Sequence, residues 1–148
     1  MTLKDQIYAD LIAAMKARDT LKAEALKMIK AEIMKHEVSA ADAVTTDEVV
    51  TTILQKAVKQ RKESAHSFLQ GGRDDMALKE EQEAAIYQTY LPEQMSKEEL
   101  KKLIDQVVAE MGASGPGDIG KVMGKLAPII KGKADGKQAN ELVRQKLQ

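Results

Sequence analysis

The residues closest to a chemical motif in this chain are the run Gly115-Pro-Gly-Asp-Ile-Gly-Lys121. The run has the G-x-x-x-x-G-K spacing of a phosphate-binding loop, in which backbone amides cradle phosphates and the next hydroxyl binds magnesium. Val122 stands where that hydroxyl is needed, and the residues before the run have the pattern of a helix instead of a strand. We therefore predict no nucleotide site and no cofactor.

The histidines and serines of the chain also lack the spacing that metal-binding and catalytic residues need. His36 and His66 are the only histidines, and the chain has no cysteine. Neither histidine has a second ligand at the spacing of a zinc site, so we interpret both as residues at the edge of the solvent. Ser114 lies in a glycine-rich turn and lacks the strand–turn–helix setting of a nucleophile. We expect no metal site and no catalytic residue.

A basic segment with two glycines, from Asp118 to Lys137, departs most from an ordinary helical sequence. Gly120 and Gly124 lie on one side of a predicted helix, where each costs roughly 1 kcal/mol relative to alanine. Such glycines permit a close approach, either by a neighbouring helix or by a partner molecule. From Ala113 onward there are seven basic and three acidic residues. This excess indicates either an anionic partner or a solvated lysine face.

The composition favours packed helices around these residues. Of the 148 residues, 43% are hydrophobic but only 3% are aromatic, so the core must consist of aliphatic side chains, methionine and alanine. Apolar residues at helical spacing predict helices over about 2–17, 20–37, 45–70 and 73–90. Thr45 is predicted to cap the third of these in a capping box with Glu48.

The short connection Gly71-Gly72 predicts that the third and fourth helices form an αα-hairpin. Counting outward from this connection places Lys62 near Glu81, Gln60 near Glu83 and Arg61 near Gln82. A basic patch on one helix would then face an acidic patch on the other. Each exposed ion pair is worth at most about 1 kcal/mol, so these contacts would set the register more than the stability.

The sequence around Pro92 marks a domain boundary, because proline disfavours helix at the preceding residue. We predict an N-terminal four-helix domain over residues 1–93 and a small three-helix domain over residues 94–148. In the second domain Ser96 caps a helix that ends at Met111, Pro128 ends or kinks a helix near Ala127, and Asp135 caps the last helix. The predicted fold is all-α.

The compartment follows from what the sequence lacks. The first fifteen residues carry acidic side chains and no continuous apolar run, so we predict neither a signal peptide nor a membrane span. The absence of cysteine fits a reducing compartment. We expect a cytoplasmic protein.

Five separated motifs follow one another along the chain: Lys59-Gln-Arg-Lys-Glu-Ser64, Gly72-Arg-Asp-Asp75, Tyr90-Leu-Pro-Glu-Gln94, Gly120-Lys-Val-Met-Gly124 and Gly132-Lys-Ala-Asp-Gly-Lys137. In this order, and over the chain from about Leu3 to Leu147, they resemble the GatB/YqeY family. The resemblance implies a protein similar to the C-terminal tail of the B subunit of aspartyl/glutamyl-tRNA amidotransferase. That tail is a helical appendage that helps to hold tRNA, while the chemistry takes place in other domains. The family label, a carbon–nitrogen ligase with glutamine as amido-N-donor, belongs to the complete enzyme.

The resemblance also implies which residues would contact RNA. They are the lysines of the basic segment together with two glycines that permit close approach: Lys121, Lys125, Lys131, Lys133, Lys137, Gly120 and Gly132. Our first hypothesis is a non-catalytic accessory module in translation that contacts tRNA and works with an amidotransferase. The alternative is a protein–protein adaptor that binds its partner through the helical hairpin. An independent enzyme is a third, weaker hypothesis.

Overall fold

Seven α-helices and no strand make up the structure, a computed structural model that describes residues 1–148. The all-α fold that the sequence predicts is therefore confirmed. A single 3-10 turn, Pro116–Asp118, precedes α6. The helices are α1 (Leu3–Lys16), α2 (Thr20–Glu37), α3 (Asp47–Gln70), α4 (Asp74–Gln88), α5 (Lys97–Met111), α6 (Ile119–Ile130) and α7 (Gly136–Leu147).

The chain divides into two compact units, an N-terminal unit (Met1–Leu91) and a C-terminal unit (Pro92–Gln148). Each unit has its own hydrophobic core. In the N-terminal unit the core is formed by α1 to α4 and contains Ile7, Leu26 and Leu54. Burial of such aliphatic side chains contributes about 1.5–3 kcal/mol each, so the core stabilises this unit.

The αα-hairpin of α3 and α4 is confirmed, with Arg61 at its centre. The Arg61 guanidinium lies 3.2 Å from a Glu80 carboxylate oxygen and 3.4 Å from one of Glu83. Glu83 is only 5% exposed, so this arginine compensates a buried charge. The predicted pairing of Arg61 with Gln82 is wrong. Counting from the connection ignores the helical rotation, which turns Gln82 to the solvent and brings positions 80 and 83 toward α3.

Two tyrosines attach α4 to the first two helices. The Tyr87 hydroxyl donates a hydrogen bond to the Ala25 carbonyl oxygen at 2.8 Å, and the Tyr90 hydroxyl donates to the Asp10 carboxylate at 2.5 Å. Tyr87 is fully buried, so its hydroxyl needs such a partner. The polar ends of these side chains therefore fix the position of the hairpin against α1 and α2.

The N-cap of α3 is Thr46, so the predicted capping box of Thr45 with Glu48 is wrong. The Thr46 hydroxyl accepts a hydrogen bond from the Val49 amide at 3.2 Å. With the helix starting one residue later, Asp47 lies in the first turn and its carboxylate accepts from the Leu3 amide at 2.9 Å. This contact between α1 and α3 is a tertiary effect that local sequence does not reveal.

In the C-terminal unit the predicted caps are present. The Ser96 hydroxyl accepts from the Glu99 amide at the start of α5, and the Asp135 carboxylate accepts from the Lys137 amide at the start of α7. The core of this unit is formed by side chains of α5, α6 and α7. It contains Leu100, Ile104, Val107, Val122, Leu126 and Val143.

Helix α6 continues through Pro128 to Ile130, so of the two predicted effects of this proline the end near Ala127 is wrong, and a kink there stays a prediction. Proline removes one helical hydrogen bond, the one that would reach the Gly124 carbonyl. Ile130 is nevertheless buried one turn beyond Leu126 in the same core. The last turn stays helical because its packing offsets the missing bond.

Candidate nucleic-acid interface

Helix α6 has one buried side and one open side. Val122, Leu126 and Ile130 recur every four residues and are buried in the core. Lys121 and Lys125 are exposed and lie one turn apart on the other side. The apolar spacing of the helix therefore decides that both lysines face the solvent.

The two glycines of α6 border this open side. A Cβ atom added at Gly120 or at Gly124 would meet no heavy atom within 4 Å. The first explanation for these glycines, a neighbouring helix packed against their backbone, is therefore wrong for this chain. The helix backbone is bare and accessible beside the two lysines.

One of the two lysines is engaged by a carboxylate. The Lys125 ammonium donates to a Glu110 carboxylate oxygen at 3.1 Å. Hydrogen bonds from Lys125 and then from Gln106 lower the pKa of Glu110, which stays ionised. Sequence reasoning missed Glu110, because only the packing of α5 against α6 brings the two side chains together.

Lys131 and Lys133 are exposed in the connection between α6 and α7. Gly132 lies between them, but it is buried and adopts a φ of +78°, a conformation that favours glycine. Its carbonyl oxygen accepts from the Gln94 side-chain amide at 2.9 Å, and the Lys133 carbonyl accepts from the Met95 amide at 2.9 Å. Gly132 thus shapes the connection, while the adjacent lysine side chains face outward.

Lys137 lies in the first turn of α7 and is exposed. Arg144 lies seven residues further on the same side of the helix and is exposed as well. Lys146, by contrast, pairs with Asp105 at 3.1 Å. The structure thus places Lys137 and Arg144 on an open side of α7.

The run that imitates a phosphate-binding loop has a different structure. It follows α5, passes through the 3-10 turn and enters α6, without a strand before it. The Asp118 carboxylate accepts from the Ser114 amide at 3.1 Å, which places an anion inside the loop. No group of three histidine, cysteine or acidic side chains is arranged to hold a metal ion. His36 has Nε2 at 3.3 Å from the Val44 carbonyl oxygen, and His66 is exposed.

The exposed lysines offer charge-assisted contacts to an anion. Ammonium groups beside bare backbone attract phosphates and let them approach closely. The C-terminal unit contains no aromatic residue, because Phe68 and the three tyrosines all belong to the N-terminal unit. Bases could therefore not stack on an aromatic side chain of this unit, and a nucleic acid would be held mainly through its backbone and shape.

The fold therefore defines a class of small all-helical modules, here with an excess of basic residues from Ala113 onward. Residues 4–147 match the family described as Yqey-like protein. Because the match spans almost the whole chain, this protein belongs to that family. The resemblance inferred from the sequence motifs is confirmed.

Similar proteins come from fungi and from an archaeon. The mitochondrial protein "Altered inheritance of mitochondria protein 41" of Pyrenophora tritici-repentis is 28% identical over 145 residues, which cover 97% of this chain and 77% of that protein. The protein of the same name from Vanderwaltozyma polyspora is 38% identical over 82 residues, or 55% of this chain and 44% of that protein. The E subunit of glutamyl-tRNA(Gln) amidotransferase from Thermococcus sibiricus is 30% identical over 152 aligned positions.

The extent of these alignments differs between the relatives. The Thermococcus alignment covers 98% of this chain but 23% of the archaeal protein, and the Vanderwaltozyma alignment covers less than half of the fungal protein. This chain is thus similar to one part of a larger amidotransferase subunit. None of the seven helices combines the length and the apolar composition of a membrane span.

Proposed function

We propose that this protein is a non-catalytic accessory module that contacts tRNA through its C-terminal unit and works with a glutamine-dependent amidotransferase in translation. The observation that carries the proposal is the open side of α6, where bare backbone at Gly120 and Gly124 lies beside Lys121 and Lys125. The similarity of nearly the whole chain to part of an amidotransferase subunit supports the same function. The proposed compartment is the cytoplasm.

The proposed contact is electrostatic and follows the shape of the RNA. Lysines that neutralise phosphates release bound counterions, so the affinity falls as salt rises. For three such contacts we expect a roughly 30- to 50-fold loss of affinity between about 50 and about 200 mM salt. The bare glycine backbone would let the ribose-phosphate chain approach α6 more closely than alanine would.

Fluorescence anisotropy with labelled tRNA tests this proposal. The variant Lys121→Glu/Lys133→Glu/Lys137→Glu reverses three exposed charges of the C-terminal unit. We expect its affinity to fall by more than tenfold, because repulsion replaces three phosphate contacts. The matched control, Lys16→Glu/Lys35→Glu/Lys56→Glu, changes the net charge equally on exposed lysines of the N-terminal unit and should bind nearly as the wild type. Equal losses in both variants, or no binding of the wild type at low salt, would refute the proposal.

A second candidate function is a protein–protein adaptor that uses the hairpin. Two leucines near the connection favour it, since Leu69 is 49% and Leu78 55% exposed. Under this function a partner bound by the full chain would be lost in Leu69→Glu/Leu78→Glu. The same variant would keep the affinity for tRNA, which separates the two functions.

A further inference from the structure

Carboxylates of α5 already neutralise some of the lysines of the C-terminal unit. Lys125 of α6 contacts Glu110, and Lys146 of α7 contacts Asp105, each at 3.1 Å. Three other exposed lysines of the unit take part in none of the ion pairs of the structure: Lys121, Lys133 and Lys137. The lysines of this surface are therefore not equally available to an anionic ligand.

Helix α6 contains one lysine of each kind. Lys121 and Lys125 lie one turn apart on the same open side, beside the bare backbone at Gly120 and Gly124. The Lys125 ammonium donates to Glu110, whereas Lys121 is in no ion pair. An anion that approaches this side of α6 therefore meets one free ammonium group and one that is already occupied.

A second contact holds Glu110 in place beside Lys125. The side-chain amide of Gln106, one turn earlier in α5, donates to the other carboxylate oxygen of Glu110 at 3.2 Å. The hydrogen bonds from Lys125 and Gln106 keep the pKa of Glu110 below its ordinary value, so the carboxylate is charged at neutral pH. One of its oxygens thus occupies the position at which a phosphate oxygen would accept from Lys125.

The contact between Glu110 and Lys125 is weak enough to be exchanged. Their side chains are 49% and 46% exposed, so water solvates both and the core fixes neither. Ion pairs this exposed contribute little and are screened by salt. A phosphate can therefore displace Glu110 at a cost of at most about fivefold in affinity. The displaced carboxylate can turn to the solvent, so no charge has to be buried.

We infer that Glu110 is an internal competitor of the anionic ligand, which occupies Lys125 in the free protein and has to leave before a phosphate binds there. This inference rests on the proposed function, because it concerns the same open side of α6. Lys125 then exchanges one anion for another when the ligand binds, so it releases fewer counterions than a free lysine does. Glu110 therefore lowers both the affinity for the ligand and the dependence of that affinity on salt.

The variant Glu110→Gln tests the competition, with fluorescence anisotropy of labelled tRNA and the full chain as the measurement. Glutamine keeps the size and the helix propensity of glutamate but carries no charge. We expect the variant to bind about two- to fivefold more tightly than the wild type. The slope of log affinity against log salt should be steeper by up to about 0.9, the contribution of one phosphate contact.

A double-mutant cycle assigns the effect to Lys125. Lys125→Ala should change the affinity little in the wild type and lower it several-fold in the Glu110→Gln background, because only there does the phosphate contact cost no other ion pair. Lys121→Ala is the matched control on the same side of α6. Since Lys121 is in no ion pair, its loss should lower the affinity by the same factor in both backgrounds.

Inorganic polyphosphate, as a second probe, separates the competition from the recognition of tRNA. It has the dense charge of an RNA backbone without the shape of tRNA. If polyphosphate shows the coupling of Glu110 to Lys125 while tRNA does not bind, the tRNA contact is refuted and the competition stands. Three results would overturn the competition: equal affinity of Glu110→Gln and wild type for both probes, equal coupling of Glu110 to Lys121 and to Lys125, or no binding of either probe to Glu110→Gln.

Discussion

At the scale of single residues, the polar groups in the hairpin decide its register. Arg61 satisfies Glu83 and approaches Glu80, and the Tyr87 hydroxyl reaches the Ala25 carbonyl oxygen. Leaving such buried groups without partners costs about 1–3 kcal/mol each, more for charged groups, so other registers are disfavoured. The sequence indicates that basic and acidic patches meet here. It does not indicate which acidic residues turn inward, because that depends on the rotation of α4 against α3.

Alkaline pH should destabilise the N-terminal unit through Tyr87. Burial, and then the nearby Glu83 carboxylate, raise the pKa of Tyr87 to about 12, while an unfolded tyrosine titrates near pH 10. The folded form thus holds its proton more tightly, so this stabilisation is complete below about pH 10 and is lost as the pH rises through about 12. Chemical unfolding between about pH 8 and about pH 12 measures the loss, which should be smaller in Tyr87→Phe.

Part of the alkaline loss should persist in this variant, because burial and the hydrogen bond to Asp10 also raise the pKa of Tyr90. Tyr87→Phe should in addition lose about 1 kcal/mol of stability at neutral pH, since it lacks the hydrogen bond to Ala25. Superimposable curves of stability against pH for the variant and the wild type would contradict the assignment to Tyr87.

At the scale of the elements, α6 has one side that packs in the core and one open side. The open side carries two glycines, which have a low propensity for helix. Gly124 lies in the helix interior, and a Cβ atom added there would have no neighbouring element within 4 Å. The apolar spacing was enough to predict the helix and its buried side. It could not predict that the helix continues past Pro128, because the stabilising contact is the burial of Ile130 against residues of other helices.

The variant Gly124→Ala should make the C-terminal unit more stable. Alanine is better than glycine in a helix by roughly 0.5–1 kcal/mol, and the open space leaves room for its methyl group. Thermal unfolding followed by circular dichroism measures this gain. The reverse change at an exposed position of the same helix, Ala127→Gly, is the matched control and should lower stability by a similar amount.

The variant Gly124→Ala also tests whether the open side of α6 takes part in the proposed tRNA contact. If RNA approaches the bare backbone, Gly124→Ala should bind tRNA more weakly although it is more stable. A gain in stability with no change in affinity would show that the glycine does not serve the tRNA contact.

At the scale of the whole molecule, two units with separate cores share one chain. The predictions of an all-α fold and of a helical hairpin needed only composition, periodicity and turn residues. The candidate tRNA site was harder to predict, since Gly132 proves to be buried, Lys125 is paired with Glu110, and Arg144 joins Lys137 on α7. These differences come from packing between helices, which apolar spacing does not specify.

Separation of the units should leave the larger one folded. A fragment of residues 1–91 keeps the entire N-terminal core, so we expect a helical spectrum and a cooperative thermal transition. The fragment of residues 92–148 has a smaller core and should melt at a lower temperature. Circular dichroism of the two fragments and of the full chain is the measurement. An unfolded larger fragment would show that its core depends on the rest of the chain.

The distribution of aromatic residues makes tyrosine fluorescence a specific signal of the N-terminal unit. With no tryptophan in the chain and every tyrosine before Pro92, intrinsic emission follows the N-terminal unit alone, and the C-terminal unit is dark. A denaturation curve recorded by emission will therefore differ from one recorded by helical ellipticity whenever the two units lose their structure separately. The variant Ile129→Trp would place a fluorophore at an exposed position of α6. Its emission would follow the unfolding of the C-terminal unit and the binding of a molecule beside α6.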